Sequence, residues 1–142
     1  MQAKVSSLQE ARPRLADSEK ITINLGPVDL GQIDLLVREG FYGNRTDLIR
    51  TAIRRELERH EGALKTSVAR QALDLGLRRY DRVELERVRA AGEALHIQVL
   101  GLVVIDDDVD PDLARDTIRS LHVLGTLQAP AAVKAALRDR MA

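Results

Sequence analysis

Residues 19–61 read EKITINLGPVDLGQIDLLVREGFYGNRTDLIRTAIRRELERHE. Lys20 to Leu25 alternates polar and apolar residues. Ile21, Ile23 and Leu25 fall on one face and Lys20, Thr22 and Asn24 on the other. That period of two predicts a short, half-buried strand. From Asp29 to Glu39, Leu30, Ile33, Leu36 and Val37 recur at helical spacing, with Asp29 in the position of an N-cap. Gly40 and Gly43 interrupt the pattern. Asn44 is placed to cap a second helix, in which Leu48, Ile49, Ala52, Ile53 and Leu57 share one face.

One strand and two helices in roughly 40 residues are too little to bury a core alone. A lone strand also has no ladder partner. A second copy of the chain solves both problems. The strands then pair antiparallel across a two-fold axis and the four helices interlock beneath the ribbon, an isologous dimer. Its core would be Ile21, Ile23, Leu25, Leu30, Ile33, Leu36, Val37, Leu48, Ile49, Ala52 and Ile53.

This stretch resembles the ribbon-helix-helix DNA-binding proteins, the CopG/Arc/MetJ class of bacterial regulators. The strand Lys20–Leu25 carries the resemblance, with the helix positions Leu30, Ile33, Asp34, Leu36 and Val37. Gly43-Asn44-Arg45-Thr46-Asp47 is similar to the family's G-x-S-R-S-E signature and is followed by Ile49-Arg50-Thr51-Ala52-Ile53. Asn44 stands where Ser is commoner, and Asp47 where Glu is; both keep capping chemistry. Gly31 lies inside the first helix, at a cost of about 1 kcal/mol relative to Ala. The resemblance implies an intertwined α+β dimer that binds double-stranded DNA as a transcriptional regulator, in the reading taken first a repressor. Lys20, Thr22 and Asn24 would meet base edges in the major groove, where a two-stranded ribbon fits. Asn44, Arg45 and Thr46 would meet a phosphate at the start of the second helix, where amides and the helix dipole favour an anion. The alternatives for these two sets are an ordinary solvated strand face and a plain N-cap.

Composition narrows the rest. The chain has 142 residues, 44% of them hydrophobic and 31% charged, and so has room for one ordinary or two small domains. Aromatic residues are 2%, which argues against stacking on exposed bases. With no cysteine there are no disulfides or thiolate metal sites. No run is long and apolar enough for a membrane span, and no signal-peptide pattern follows the start, so the expected location is cytoplasmic, at the nucleoid. The formal net charge is zero, so binding to DNA has to rest on how charges are placed rather than on their sum.

Residues 1–18, with Lys4, Arg12, Pro13 and Arg14, read as an N-terminal arm, 19–61 as the DNA-binding domain, 62–72 as a connector that extends the second helix in part, and 73–142 as a small α/β module for oligomerisation or effector binding. In that module Leu73, Leu75 and Leu77 alternate as in a strand. Asp81 to Gly92 reads as a helix with Asp81 and Glu84 as a capping box. Leu95 to Ile105 reads as a strand, Pro111 to Arg115 as a short helix, Thr117 to Leu127 as a strand, and Ala131 to Arg140 as a helix. Val99-Leu100-Gly101 recurs as Val123-Leu124-Gly125, and at the same offset Val109 falls on Val133 and Leu113 on Leu137. Leu75-Gly76 precedes Leu100-Gly101 similarly. The pattern suggests two or three strand-then-helix units, with chance among abundant Val, Leu and Ala as the rival.

No catalytic, metal or cofactor site emerges. Asp106, Asp107, Asp108 and Asp110 lack the Gly and Glu that a calcium loop requires at its sixth and twelfth places. His60, His96 and His122 form no ligand motif, although His96 and His122 fall on adjacent expected strands. There is no nucleophile motif, P-loop or dinucleotide fingerprint. Besides DNA, the expected partner is the chain itself. A toxin, in an antitoxin reading, or a small-molecule effector, and a self-assembling structural role, remain open for the C-terminal half.

Overall fold

The computed structural model describes residues 18–142. The expected N-terminal arm, apart from Ser18, lies outside them. The described chain divides into two units between Phe41 and Tyr42. This division falls inside the 19–61 stretch, whose two helices each bury no residue within the chain.

In the first unit, residues 19–26 join no ladder, and Ile21 and Ile23 are 81% and 60% exposed. Helix α1 follows, Pro27–Arg38. Its N-cap is Gly26 and not the expected Asp29, which lies in the first turn. Pro27 presets the helical φ and needs no amide partner there, so the helix starts three residues earlier, and Asp29 acts through its charge at the positive end of the dipole. Gly40, at φ +86°, ends the helix, and Phe41 N–H donates to the Leu36 carbonyl at 3.0 Å.

The second unit opens with α2, Arg45–Arg59, and continues after a break at His60 into α3, Glu61–Arg70. The expected partial extension of the second helix is therefore a separate helix. Then come strand β1 (Asp74–Tyr80), helix α4 (Arg82–Ala90), strand β2 (Leu95–Ile105), helix α5 (Pro111–Thr117), strand β3 (Ile118–Gln128), helix α6 (Ala131–Ala136) and a 3-10 turn, Arg138–Arg140. The strands form one parallel sheet in the order β1-β2-β3, so each strand-helix unit lays its strand beside the last.

The recurring sequence pattern is this stacking. Leu75 pairs with Leu100 and Gly76 with Gly101; Val99, Leu100 and Gly101 pair with Val123, Leu124 and Gly125. Val109, Val133, Leu113 and Leu137, matched by the same offset, are all buried. They join Leu85, Ile97, Val99, Val103, Ile105, Ile118 and Leu121 in one core, where each buried aliphatic side chain contributes about 1.5–3 kcal/mol. The buried Thr117 hydroxyl is satisfied by the Leu113 carbonyl at 2.7 Å. Buried Ile97 and Val99 alternate with exposed His96 and Gln98, so only one face of β2 is covered there.

Capping and ion pairs fix the turns. The Asp81 and Asp110 carboxylates accept from the amides of Glu84 and Leu113, both at 2.8 Å, and start α4 and α5. Gly92, at φ +68°, closes α4. The acidic run is a set of staples. Asp106 binds the Arg79 guanidinium through two bonds of 2.8 and 3.1 Å, which raises the Arg79 pKa, and Asp108 accepts from the Arg82 amide at 3.2 Å. At the other end Arg115 pairs with Asp139 at 2.9 Å and holds that carboxyl below its usual range. Arg140 donates to the carbonyls of Arg115 and Ile118.

The glycines at the strand centres are structurally required. Gly76, Gly101 and Gly125 have φ of +119°, +141° and +124°. A Cβ at Gly101 would lie 2.1 Å from the Gly76 carbonyl oxygen, and one at Gly125 would lie 2.1 Å from that of Gly101. Gly76 has nothing within 4 Å of the same point. Gly101→Ala and Gly125→Ala should therefore each cost about 3 kcal/mol or more, from conformational strain plus backbone collision, whereas Gly76→Ala should cost about 1–2 kcal/mol from strain alone. Urea denaturation of the three variants checks the order; equal losses at Gly76 and Gly101 would contradict it.

Candidate nucleic-acid interface

The two sets of expected contact residues lie in different units. Lys20, Thr22 and Asn24 are exposed in the segment before α1. Around them the apolar alternate residues are exposed as well, so within one chain this segment has no buried face. The expected dimer core is uncovered to varying degree. Leu30, Ile33, Val37, Leu48 and Ile49 are half-buried, and Ile21, Ile23, Leu25, Leu36, Ala52 and Ile53 are exposed.

Asn44, Arg45 and Thr46 begin α2 as the sequence suggests. Asn44 is the N-cap, with extended backbone, and its Oδ1 accepts from the Asp47 amide at 2.8 Å. Asp47 reaches back, its Oδ2 accepting from the Gly43 amide at 2.9 Å. This reciprocal pair fixes the entry to the helix as a capping box does. It also occupies the Asp47 amide, so an anion here would be met by the earlier part of the turn and by neighbouring side chains.

Those side chains form a shallow polar hollow lined by Gly43, Asn44, Thr46, Asp47, Arg50, Thr51 and Arg54. Arg50 and Arg54 follow Thr46 at intervals of four, one helix face. Arg50 enters the sequence analysis only as part of the resemblance and Arg54 is given no role there; the spacing 46, 50, 54 is the signal that finds them. Arg50 and Arg54 supply the hollow with two cationic groups against the one carboxylate of Asp47, which the cap holds toward Gly43.

The histidines are dispersed. His60 lies 3.2 Å from Glu56. The His96 Nδ1 is 2.9 Å from the Ser120 hydroxyl. The β2–β3 register sets His96 beside Ser120 and Gln98 beside His122, so the two histidines are not opposite each other. Among the described residues no group of His, Cys, Asp and Glu is arranged to hold a metal ion, and no helix is long and apolar enough to cross a membrane.

No curated protein and no solved structure matched the chain. A family model did match, over residues 16–134, which spans the segment before α1, helices α1 and α2 and the three strands. The strand-helix units thus lie within the family's own pattern. With its Asn44-capped helix and this match across most of its length, the chain belongs to the Ribbon-Helix-Helix transcriptional regulator family.

Proposed function

We propose that the chain is a homodimeric, sequence-specific repressor whose residues 20–25 pair with those of a second copy and enter the major groove of DNA. The observation that carries this reading is the apolar set from Ile21 to Ile53, which the single chain leaves uncovered beside a polar set of the right chemistry. Exposed Ile21 and Ile23 demand a partner, and pairing two copies buries both while leaving Lys20, Thr22 and Asn24 outward. Asn suits adenine, Lys suits guanine, and Thr hydrogen-bonds or touches a thymine methyl. Asn44, Arg45 and Thr46, with Arg50 and Arg54 behind them, clamp flanking phosphates, which sets register and orientation. Residues 73–142 join dimers, so that several ribbons engage DNA together and gain avidity without new base contacts.

The ordered core of residues 74–140 weighs against an antitoxin, whose toxin-binding tail is expected to fold only on binding. Genome-wide mapping of bound sites, followed by titration of the recovered operator, tests the reading as a whole. Half-sites with two-fold symmetry are the expected result, and an absence of enriched sites would overturn it.

Three substitutions separate its parts. Asn24→Ala should leave the fold intact, cost about 1–3 kcal/mol at the operator and relax preference at one base position; binding to single-base operator variants reads this out. Asn44→Ala should weaken binding to all sequences alike, with about 1 kcal/mol of stability lost with the cap, as seen in parallel operator and thermal titrations. Ile23→Asp places a charge in the ribbon core, and because dimerisation and folding are coupled it should abolish the dimer and DNA binding together. A variant that stays dimeric by sedimentation would exclude Ile23 from the interface.

A further inference from the structure

Resting on the reading that residues 73–142 join dimers, we propose that the joining surface is the outer edge of β1, which pairs antiparallel with the β1 edge of a second copy about a two-fold axis at Gly76. The two edges of the sheet differ. The edge of β3 is partly closed by the chain itself: Met141 forms a parallel bridge with Leu121, the Ala142 amide donates to the Leu121 carbonyl at 3.2 Å, and Arg140 holds the Ile118 carbonyl at 2.8 Å. Among the described residues no strand pairs with the outer edge of β1. That edge nevertheless carries Leu75 and Leu77, 74% and 53% exposed. An uncovered edge bearing apolar side chains is a template for another strand.

Gly76 marks where the second backbone fits. At Gly101 and Gly125 the position of a missing Cβ is taken by the carbonyl of the preceding strand's glycine. Gly76 has the same left-handed φ, and the corresponding space is empty. By the repeat of the ladder that space lies on the outer side of β1, open to close approach by another chain.

Charge and apolar matching select the register. Centred on Gly76, Leu75 faces Leu77 of the second copy, and Asp74 faces Arg78, each contact occurring twice by symmetry. Centring on Leu77 would set Asp74 against Tyr80 and Leu75 against Arg79. A register that pairs Asp74 with Arg79 competes with the two bonds Arg79 already makes to Asp106. Asp74 and Arg78 meet within the chain only at 3.7 Å, with side chains 61% and 53% exposed, and are free to exchange partners. The partial closure of β3 also opposes head-to-tail stacking of β3 on β1, so a two-fold contact that ends with one pairing is favoured over a filament.

Sedimentation velocity on the full chain tests the surface with two charge reversals, Asp74→Arg and Arg78→Asp. Each alone sets like charges opposite each other at both pairs. The wild-type chain should form tetramers, and each reversal should raise the concentration needed by about tenfold or more. An equal mixture of the two variants brings opposite charges together again and should restore assembly, which a folding defect would not allow. Unchanged assembly in the single variants, or no restoration in the mixture, would overturn the β1 surface. A wild-type chain that never exceeds a dimer would overturn the joining reading with it. Single-operator affinity on the same samples reports separately on the DNA-binding half. Affinity retained in both variants would support confining the β1 edge to assembly, and a tenfold loss in either would overturn that.

Discussion

The strands of the C-terminal half approach one another at a point where a side chain has no room. The Gly76 carbonyl occupies the place of a Cβ at Gly101, and the Gly101 carbonyl that of a Cβ at Gly125. This contact locks the register of both strand pairs, because a shift by one residue would drive Leu100 or Leu102 into a neighbouring backbone. Register in turn decides which residues face the helices. With the glycines aligned, Val99 and Val103 are both buried, and Val109, Leu113, Val133 and Leu137 close the core from the connecting segments. The acidic turn serves the same frame, since Asp106, Asp108 and Asp110 each hold a neighbouring group in place.

The N-terminal part obeys the opposite logic. Neither α1 nor α2 buries a residue, and residues 19–26 join no ladder. Local capping defines the helices: Pro27 and Gly40 bound α1, and Asn44 with Asp47 starts α2. Capping of this kind is worth about 1 kcal/mol per site and cannot offset the ordering cost of such a segment. Its apolar residues become stabilising only where they are removed from water. The C-terminal half thus stands by its own core, whereas the helices of the 19–61 stretch rest on local caps.

Much of this was legible in the residues. The offset between Val99-Leu100-Gly101 and Val123-Leu124-Gly125 is the strand register itself, and the run Leu95 to Ile105 coincides with β2. The Asn44 and Asp81 caps were legible because a side chain that accepts from the amide three residues on leaves a fixed spacing. Other features were not. Asp29 was a plausible cap by type, but Pro27 acts through its ring and amide rather than through a side-chain acceptor, so it wins without a hydrogen bond. The separation of α3 from α2 at His60 has only Gly62, two residues on and already inside α3, to announce it. Arg50 and Arg54 belong to the candidate site only through helix geometry, and a signature that ends at Asp47 does not reach them. The role of the aspartates in the acidic run depends on Arg79 and Arg82, more than twenty residues away, which no local pattern reveals.

Neutral net charge does not preclude DNA binding, because charges of opposite sign can stand on different surfaces. Asp47 is spent on the cap of α2, Asp81 and Asp110 cap α4 and α5, and Asp106 and Asp139 hold arginines. The cationic groups Arg50 and Arg54 remain on the hollow at the start of α2. The field that a phosphate meets is set by which charges stand within about a Debye length of it, roughly 8 Å in physiological salt, and not by the sum over the chain. Placement of charge, and not its sum, therefore decides whether a surface of this neutral chain suits a phosphate backbone.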